Sequence, residues 1–265
     1  LSFLLITATD LETDHIHKIL KPLPNYKKIL KTYNQSFTYY IGVLGEYCLV
    51  HIQSDMGSVS RGGSLTSITH AIQDWQPKAV IMIGIAFGLF SDKQAIGDVL
   101  ISEAIIPYDN KRVGEVETIS RSPIPPSGSI LLNRFKNIKD WSFKLPDGND
   151  AKTIPGHILS GESLVDNLAF KKELIKKYPN AKGGEMEGAG VFAASSIYNK
   201  EWIIVKGICD YGENKGENKE AFQKLAIESA TSLCLHAFSS RIAFKDLGFI
   251  PLDSHQVKKN QIIRK

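Results

Sequence analysis

The sequence predicts a single α/β domain with a central mixed, mainly parallel twisted sheet flanked by helices, and three observations carry that expectation. Residues 3–8, 79–84 and 202–209 are short, largely apolar, β-branched runs with the length of strands covered on both faces. Segments with helix start and stop signals alternate with them, the pattern of a helix-flanked sheet. A chain of 265 residues that is 43% hydrophobic has the material for one full core.

Residues 3–8 read as the first strand, because no basic segment precedes them as one would in a signal peptide. The opening at Leu1 reads as a trimmed chain or a domain cut from a longer protein. Residues 10–20 are helical, with Asp10 expected as N-cap and Pro22 and Pro24 as the stop. Residues 37–43 and 47–53 form a hairpin. The Gly/Ser-rich residues 54–63 turn into a helix over 64–75, and backbone amides at such a turn suit an anion. Strands follow at 79–84 and 97–104, then a long loop at 109–127, of a length that is often functional. A helix over 129–135 and a polar irregular stretch over 140–153 lead to a strand and turn at 157–162. A helix covers 167–178, stopped by Pro179. The strand at 202–209 ends in Asp210, where open α/β sheets keep their ligand crevices. The loop at 211–219 is solvated or forms a lid, and a last helix runs over 220–244. The domain is expected to span 1–245, leaving 246–265 as a basic tail or linker.

Charge and composition exclude several classes. The net charge is +4, but Lys258, Lys259, Arg264 and Lys265 account for all of it, so the body is neutral and no nucleic-acid face is expected. No apolar run approaches the roughly 18 residues of a membrane span. Cys48, Cys209 and Cys234 are few, odd in number and without metal spacing, which fits a reduced, cytoplasmic protein. His15 and His17 lie two apart on a helix and face different directions, so no metal site is expected, and no cofactor.

The chemistry concentrates in residues 184–190, Gly-Glu-Met-Glu-Gly-Ala-Gly, where Glu185 and Glu187 straddle Met186, and in Asp210. A carboxylate at a helix start also has a plain reading, since it complements the helix dipole. Residues 6–12, 55–57, 83–88, 96–99, 159–162, 184–190 and 208–210, taken as an ordered set across about 210 residues, resemble the nucleoside phosphorylase/nucleosidase superfamily. The resemblance is nearest to its methylthioadenosine/adenosylhomocysteine nucleosidase branch. The wording of 84–88, 112–114 and the Trp202 strand also resembles the ATP nucleosidase domains of bacterial antiviral-defence proteins.

That resemblance implies site roles. Glu187 would bond the ribose hydroxyls and Met186 would pack on the sugar. Asp210 would protonate or hydrogen-bond N7 of the purine, and Glu12 would activate water. Cleaving an N-glycosidic bond through an oxocarbenium-like state needs these residue types, an acid at the leaving group and a base near the anomeric carbon. Ile85, Ala86, Phe87, Val165 and Met56 are expected around the substrate, with Glu185 beside them. Leu164 stands where the family keeps an aromatic that stacks on the base, a function that Phe87 would take over. Arg61, Lys111 and Arg112 suit a phosphorylated 5′ end, or are solvated surface charges.

Residues 7–12 carry neither the glycine nor the arginine of a phosphorylase phosphate site, so water is favoured as nucleophile. The expected activity is hydrolysis of a purine nucleotide, with ATP preferred, in a defence effector. The alternatives are a methylthioadenosine-type nucleosidase, a phosphate-dependent phosphorylase and a catalytically silent nucleotide sensor. The resemblance further implies a homo-oligomer, with other domains or defence-system subunits as partners.

Overall fold

The computed structural model describes residues 2–109, 111–113, 118–120, 123–213, 216 and 218–252; the side chains of 111–113 and 118–120 lie outside that description. In chain order the elements are β1 (Phe3–Thr7), α1 (Asp10–Ile19), β2 (Leu30–Asn34), β3 (Phe37–Leu44), β4 (Tyr47–Gln53), α2 (Ser64–Trp75), β5 (Ala79–Gly88) and β6 (Val99–Pro107). There follow β7 (Lys111–Val113), β8 (Thr118–Ser120), α3 (Ser129–Lys136), β9 (Thr153–Ser160), α4 (Leu168–Lys177), β10 (Ala181–Glu185), α5 (Gly188–Ile197), β11 (Glu201–Asp210) and α6 (Lys219–Phe238). A 3-10 turn at Lys245–Leu247 closes the set.

Among the described residues nine strands form one mixed sheet in the order β10-β9-β6-β11-β5-β1-β4-β3-β2. Pairing is parallel through β4, β1, β5 and β11, and again through β6, β9 and β10. Antiparallel contacts join β11 to β6 and build the β2-β3-β4 meander. β10 also meets β5 antiparallel, at Gly183↔Gly88 and Gly184↔Phe87, so five strands return on themselves as a closed ring. Glycine is needed at that crossing, because a Cβ on Gly183 would stand 2.4 Å from the Phe87 carbonyl oxygen.

Both faces of the sheet are covered, which is why its central strands read as unbroken apolar runs. Side chains alternate with period two. Phe3, Leu5, Ile81, Ile83, Ile203 and Val205 pack on the α6 side with Leu233 and Phe238. Leu4, Ile6, Val80, Met82, Ile204 and Ile208 pack on the α2/α5 side with Ile68, Ile72 and Val191.

Four details depart from the sequence reading. The N-cap of α1 is Thr9, not Asp10: Thr9 and Glu12 form a reciprocal capping box. β2 and β10 appear where no strand was expected, because β2 is a half-exposed edge and β10 is rich in glycine. Residues 109–127 contain a short hairpin, β7 with β8. α6 stops at Phe238 instead of 244, and the chain folds back so that Phe244 and Phe249 pack against Phe3, Tyr47 and Phe238. The Leu252 amide donates to the Glu46 carbonyl at 2.7 Å, so the packed body continues past the expected boundary at 245. Residues 253–265, which hold the four basic residues of the expected tail, lie outside the described residues.

Under α1 runs a buried polar chain. Thr7 Oγ1 bonds Thr13 Oγ1 at 2.7 Å and His51 Nε2 at 2.9 Å, and His51 Nδ1 meets His17 Nε2 at 3.2 Å. Burial, reinforced by His17, holds the His51 imidazole at about 3, so it stays neutral in the folded protein. An unfolded histidine titrates near 6.5, so between those values the unfolded chain binds a proton that the folded one refuses. The contribution is therefore complete above pH ~6.5 and is lost as pH falls. Urea unfolding should show His51 costing about 2 kcal/mol of stability on going from pH 7.5 to pH 5. A His51→Gln variant with an equally steep loss would disprove this assignment.

Candidate active site

The carboxylates converge at the C-terminal ends of β1, β5, β10 and β11. Glu12 sits in the first turn of α1 and turns back beneath it. Its Oε2 accepts from the amides of Ala8 (2.7 Å) and Thr9 (3.0 Å), and Oε1 accepts from the Ile85 amide (2.8 Å). It lies directly on Gly84, where a Cβ would stand 2.2 Å from Glu12 Oε1 and 2.8 Å from Lys206 Nζ. No larger residue fits there without moving both groups. Burial pushes the Glu12 carboxyl above its ordinary range; Lys206 opposes that and Glu187 adds to it.

Lys206, in the middle of β11, is the member of this cluster that sequence reasoning missed. It is 1% exposed, and its Nζ bonds Glu187 Oε2 at 3.0 Å. Burial alone would pull the ammonium down, but Glu187, Glu12 and Glu185 outweigh burial and hold it above the ordinary lysine range. The signal was available: a lysine inside a strand covered on both faces needs a buried carboxylate partner.

Glu187 is the N-cap residue of α5, yet its side chain does not cap the helix. Oε1 accepts from the Gly57 amide at 3.2 Å while Oε2 faces Lys206. Glu185 does the capping instead, accepting from the amides of Glu187 (2.9 Å) and Gly188 (2.9 and 3.0 Å). Glu185 was expected at the substrate; its oxygens are committed to the start of α5, which frees Glu187 to face inward. Burial, then Glu187, push the Glu185 carboxyl up to about 7, against the pull of Lys206.

Asp210 closes β11 and pairs in register with Phe87 on β5. Its Oδ1 accepts from the Gly212 amide at 2.8 Å, and Cys209 Sγ lies 3.4 Å from Oδ2. The open side of Gly212 faces Phe87 and Val165, each about 3.2 Å from where a Cβ would be. Phe87, Val165 and Ala86 are buried, so an apolar wall stands beside Asp210. Leu164, expected in the position of a base-stacking aromatic, is 67% exposed and adds nothing to that wall; Phe87 does. Met186 is half-buried, its carbonyl accepting from Ser58 Oγ at 3.1 Å, and Met56 lies exposed.

The turn after β4 does offer amides to anions, but to the chain's own. Gly57 N–H serves Glu187, and Ser58 N–H serves Glu162 at 3.0 and 3.2 Å. At the start of α2 the amides of Ser64 and Leu65 are taken by the carbonyls of Gly57 and Ser58. Asp109 Oδ2 accepts from the Glu162 amide at 2.6 Å, so the described mouth is acidic. Arg61 is solvent-exposed. The side chains of Lys111 and Arg112 lie outside the described residues. Among the described residues no cluster of His, Cys, Asp and Glu could hold a metal, and no helix is long and apolar enough to cross a membrane.

The family model described as phosphorylase superfamily matches residues 2–239. The chain belongs to the phosphorylase superfamily. Among superfamily relatives, a death domain-containing ATP nucleosidase of Amphimedon queenslandica is 30% identical over 257 residues, covering 89% of this chain. The match spans 48% of that protein's length. A 5′-methylthioadenosine/S-adenosylhomocysteine nucleosidase of Staphylococcus aureus is 24% identical over 197 residues, 74% of this chain and 83% of that one. The crystal structure of the corresponding Neisseria meningitidis nucleosidase, in complex with methylthio-immucillin-A, shares the fold with a TM-score of 0.73 at 20% identity. That match covers 90% of this chain and 98% of the other.

Because Lys206 is the only described cation bonded within this buried carboxylate group, Lys206→Met should cost about 3–5 kcal/mol at neutral pH in urea unfolding. The loss should shrink near pH 5, where the raised carboxyls take up protons. A loss under about 1 kcal/mol would show that the pair is no net support.

Proposed function

We propose that the chain hydrolyses the N-glycosidic bond of an adenine nucleoside or nucleotide. The observation that carries this reading is the convergence of Glu12, Lys206 and Glu187 in one buried cluster, with Asp210 and the Phe87 wall at the adjoining strand ends. A water held by Glu12 adds through its oxygen to the anomeric carbon, and Glu12 takes its proton. The bond from that carbon to N9 breaks, and its electron pair passes to the purine, which Asp210 protonates or hydrogen-bonds at N7. Glu187, bonding the 2′- and 3′-hydroxyls, stabilises positive charge growing on the sugar. Burial makes Glu12 a better proton acceptor than an ordinary carboxylate, and Lys206 holds Glu187 in place beside it.

Hydrolysis is favoured over phosphorolysis because Glu12 stands where residues 7–12 lack the glycine and arginine of a phosphate site. For the substrate we favour ATP. The Amphimedon queenslandica relative, named an ATP nucleosidase, aligns over 89% of this chain, and Arg61, Lys111 and Arg112 are the cations suited to a triphosphate. An antiviral-defence role belongs to the same reading. A methylthioadenosine-type substrate is the second reading, favoured by the carboxylates of Glu162 and Asp109 at the mouth, which repel phosphate. Exposed Met56 and Val59 on the turn after β4 support a second copy of the chain covering this edge.

Incubation with ATP, AMP, adenosine, methylthioadenosine and inosine, with and without phosphate, followed by chromatography, separates these readings. Free adenine from ATP without phosphate is the expected result. Adenine from methylthioadenosine alone would establish the second reading, and release that requires phosphate would overturn the role of Glu12. Glu12→Gln and Asp210→Asn should each lower turnover by about 10²–10⁴-fold. In kcat/KM against pH, activity should rise with pH through a step above the ordinary 4.5 of a glutamate, because the base must be ionised. A step at or below that value would remove Glu12 as the base.

A further inference from the structure

We propose that Lys171 and Glu213 are a positioning pair that aims Asp210 at N7 of the purine, an inference that rests on the nucleosidase reading. Four lysines lie on α4; Lys172, Lys176 and Lys177 are exposed, and Lys171 alone is turned inward, with its side chain 6% exposed. Its Nζ meets Glu213 Oε1 at 2.7 Å, and Glu213 is itself mostly covered. An ammonium withdrawn from water loses more solvation than a surface ion pair returns, so the contact holds only while both partners stay in place.

What the pair grips is the segment directly after Asp210. Asn167, the N-cap of α4, donates its amide to the Gly212 carbonyl at 3.0 Å, one residue before Glu213. Gly212 in turn donates its amide to Asp210 Oδ1 at 2.8 Å. It adopts φ +69° and sits against Phe87 and Val165. On the other side, Tyr211 Oη donates to the Gln94 carbonyl at 2.6 Å. Residues 211–213 are therefore tied from several directions; residues 214, 215 and 217 of the expected loop lie outside the described residues. The Gly212 amide is one of the contacts that orient the Asp210 carboxylate, and Gly212 is tied to α4 through Asn167 and, one residue on, through the Lys171–Glu213 bond. Neither Lys171 nor Glu213 needs to touch the substrate.

The test reads the Asp210–N7 bond alone. Adenine and 7-deazaadenine differ in that the second has a carbon at that position, so the ratio of their dissociation constants reports the bond. Calorimetry on the wild type should show adenine bound more tightly. Lys171→Met and Glu213→Gln should each lose about tenfold of that preference while 7-deazaadenine binds as before. Lys171→Arg, which keeps the charge, should retain the preference. Glu213→Gln removes the charge of the pair at unchanged side-chain size and carries the test if Lys171→Met fails to fold. Variants that keep the full preference, or that lose both ligands equally, overturn the pair's role and leave the nucleosidase reading standing. A wild type that binds both bases equally overturns the Asp210–N7 assignment, and the pair's role with it.

Discussion

The site depends on one charge in an otherwise apolar place, the Lys206 ammonium inside β11. Glu187, Glu12 and Glu185 each favour its charged form, and without it these buried carboxylates would repel one another in a medium that screens poorly. Lys206 sets the position of Glu187 through a 3.0 Å bond, and its Nζ shares the small space over Gly84 with Glu12. Glu12 on α1 and Glu187 at the start of α5 are thereby held to one point, although they lie far apart in the chain.

Division of labour between neighbours is the second principle of the site. In residues 185–187 both glutamates stand at a helix start, where one carboxylate suffices to meet the free amides. Glu185 meets them, so Glu187 is left for the interior. The same economy appears at the turn after β4, where consecutive amides of Gly57 and Ser58 serve two different glutamates. An incoming anion there would have to displace Glu162.

Much of this was legible in the sequence, and the parts that were not have physical causes. Buried strands announced themselves by composition, since cover on both faces demands unbroken apolar residues, and α2 was read with its observed bounds. Glu187 and Asp210 stand at strand and helix ends as the motif order implied. β10 stayed hidden because its glycines answer to a crossing strand, not to local propensity. The end of α6 was overrun because Phe244 continues an apolar pattern that serves a folded-back segment, packed on Phe249, instead of a helix face. Leu164 misled because its place in the motif says nothing about exposure. Lys206 was passed over because a single charge in an apolar run reads as an interruption until its partner is known.

The closure of β10 onto β5 has a consequence for where the site can be disturbed. Gly88 and Gly183 pair across the ring, and β10 runs directly into Glu185 and the start of α5. A side chain at Gly183 would meet Leu100 and the Phe87 carbonyl, and so would push apart the strands whose ends hold Glu187 against Lys206. Residues with no polar side chain thereby govern the distance between two charges.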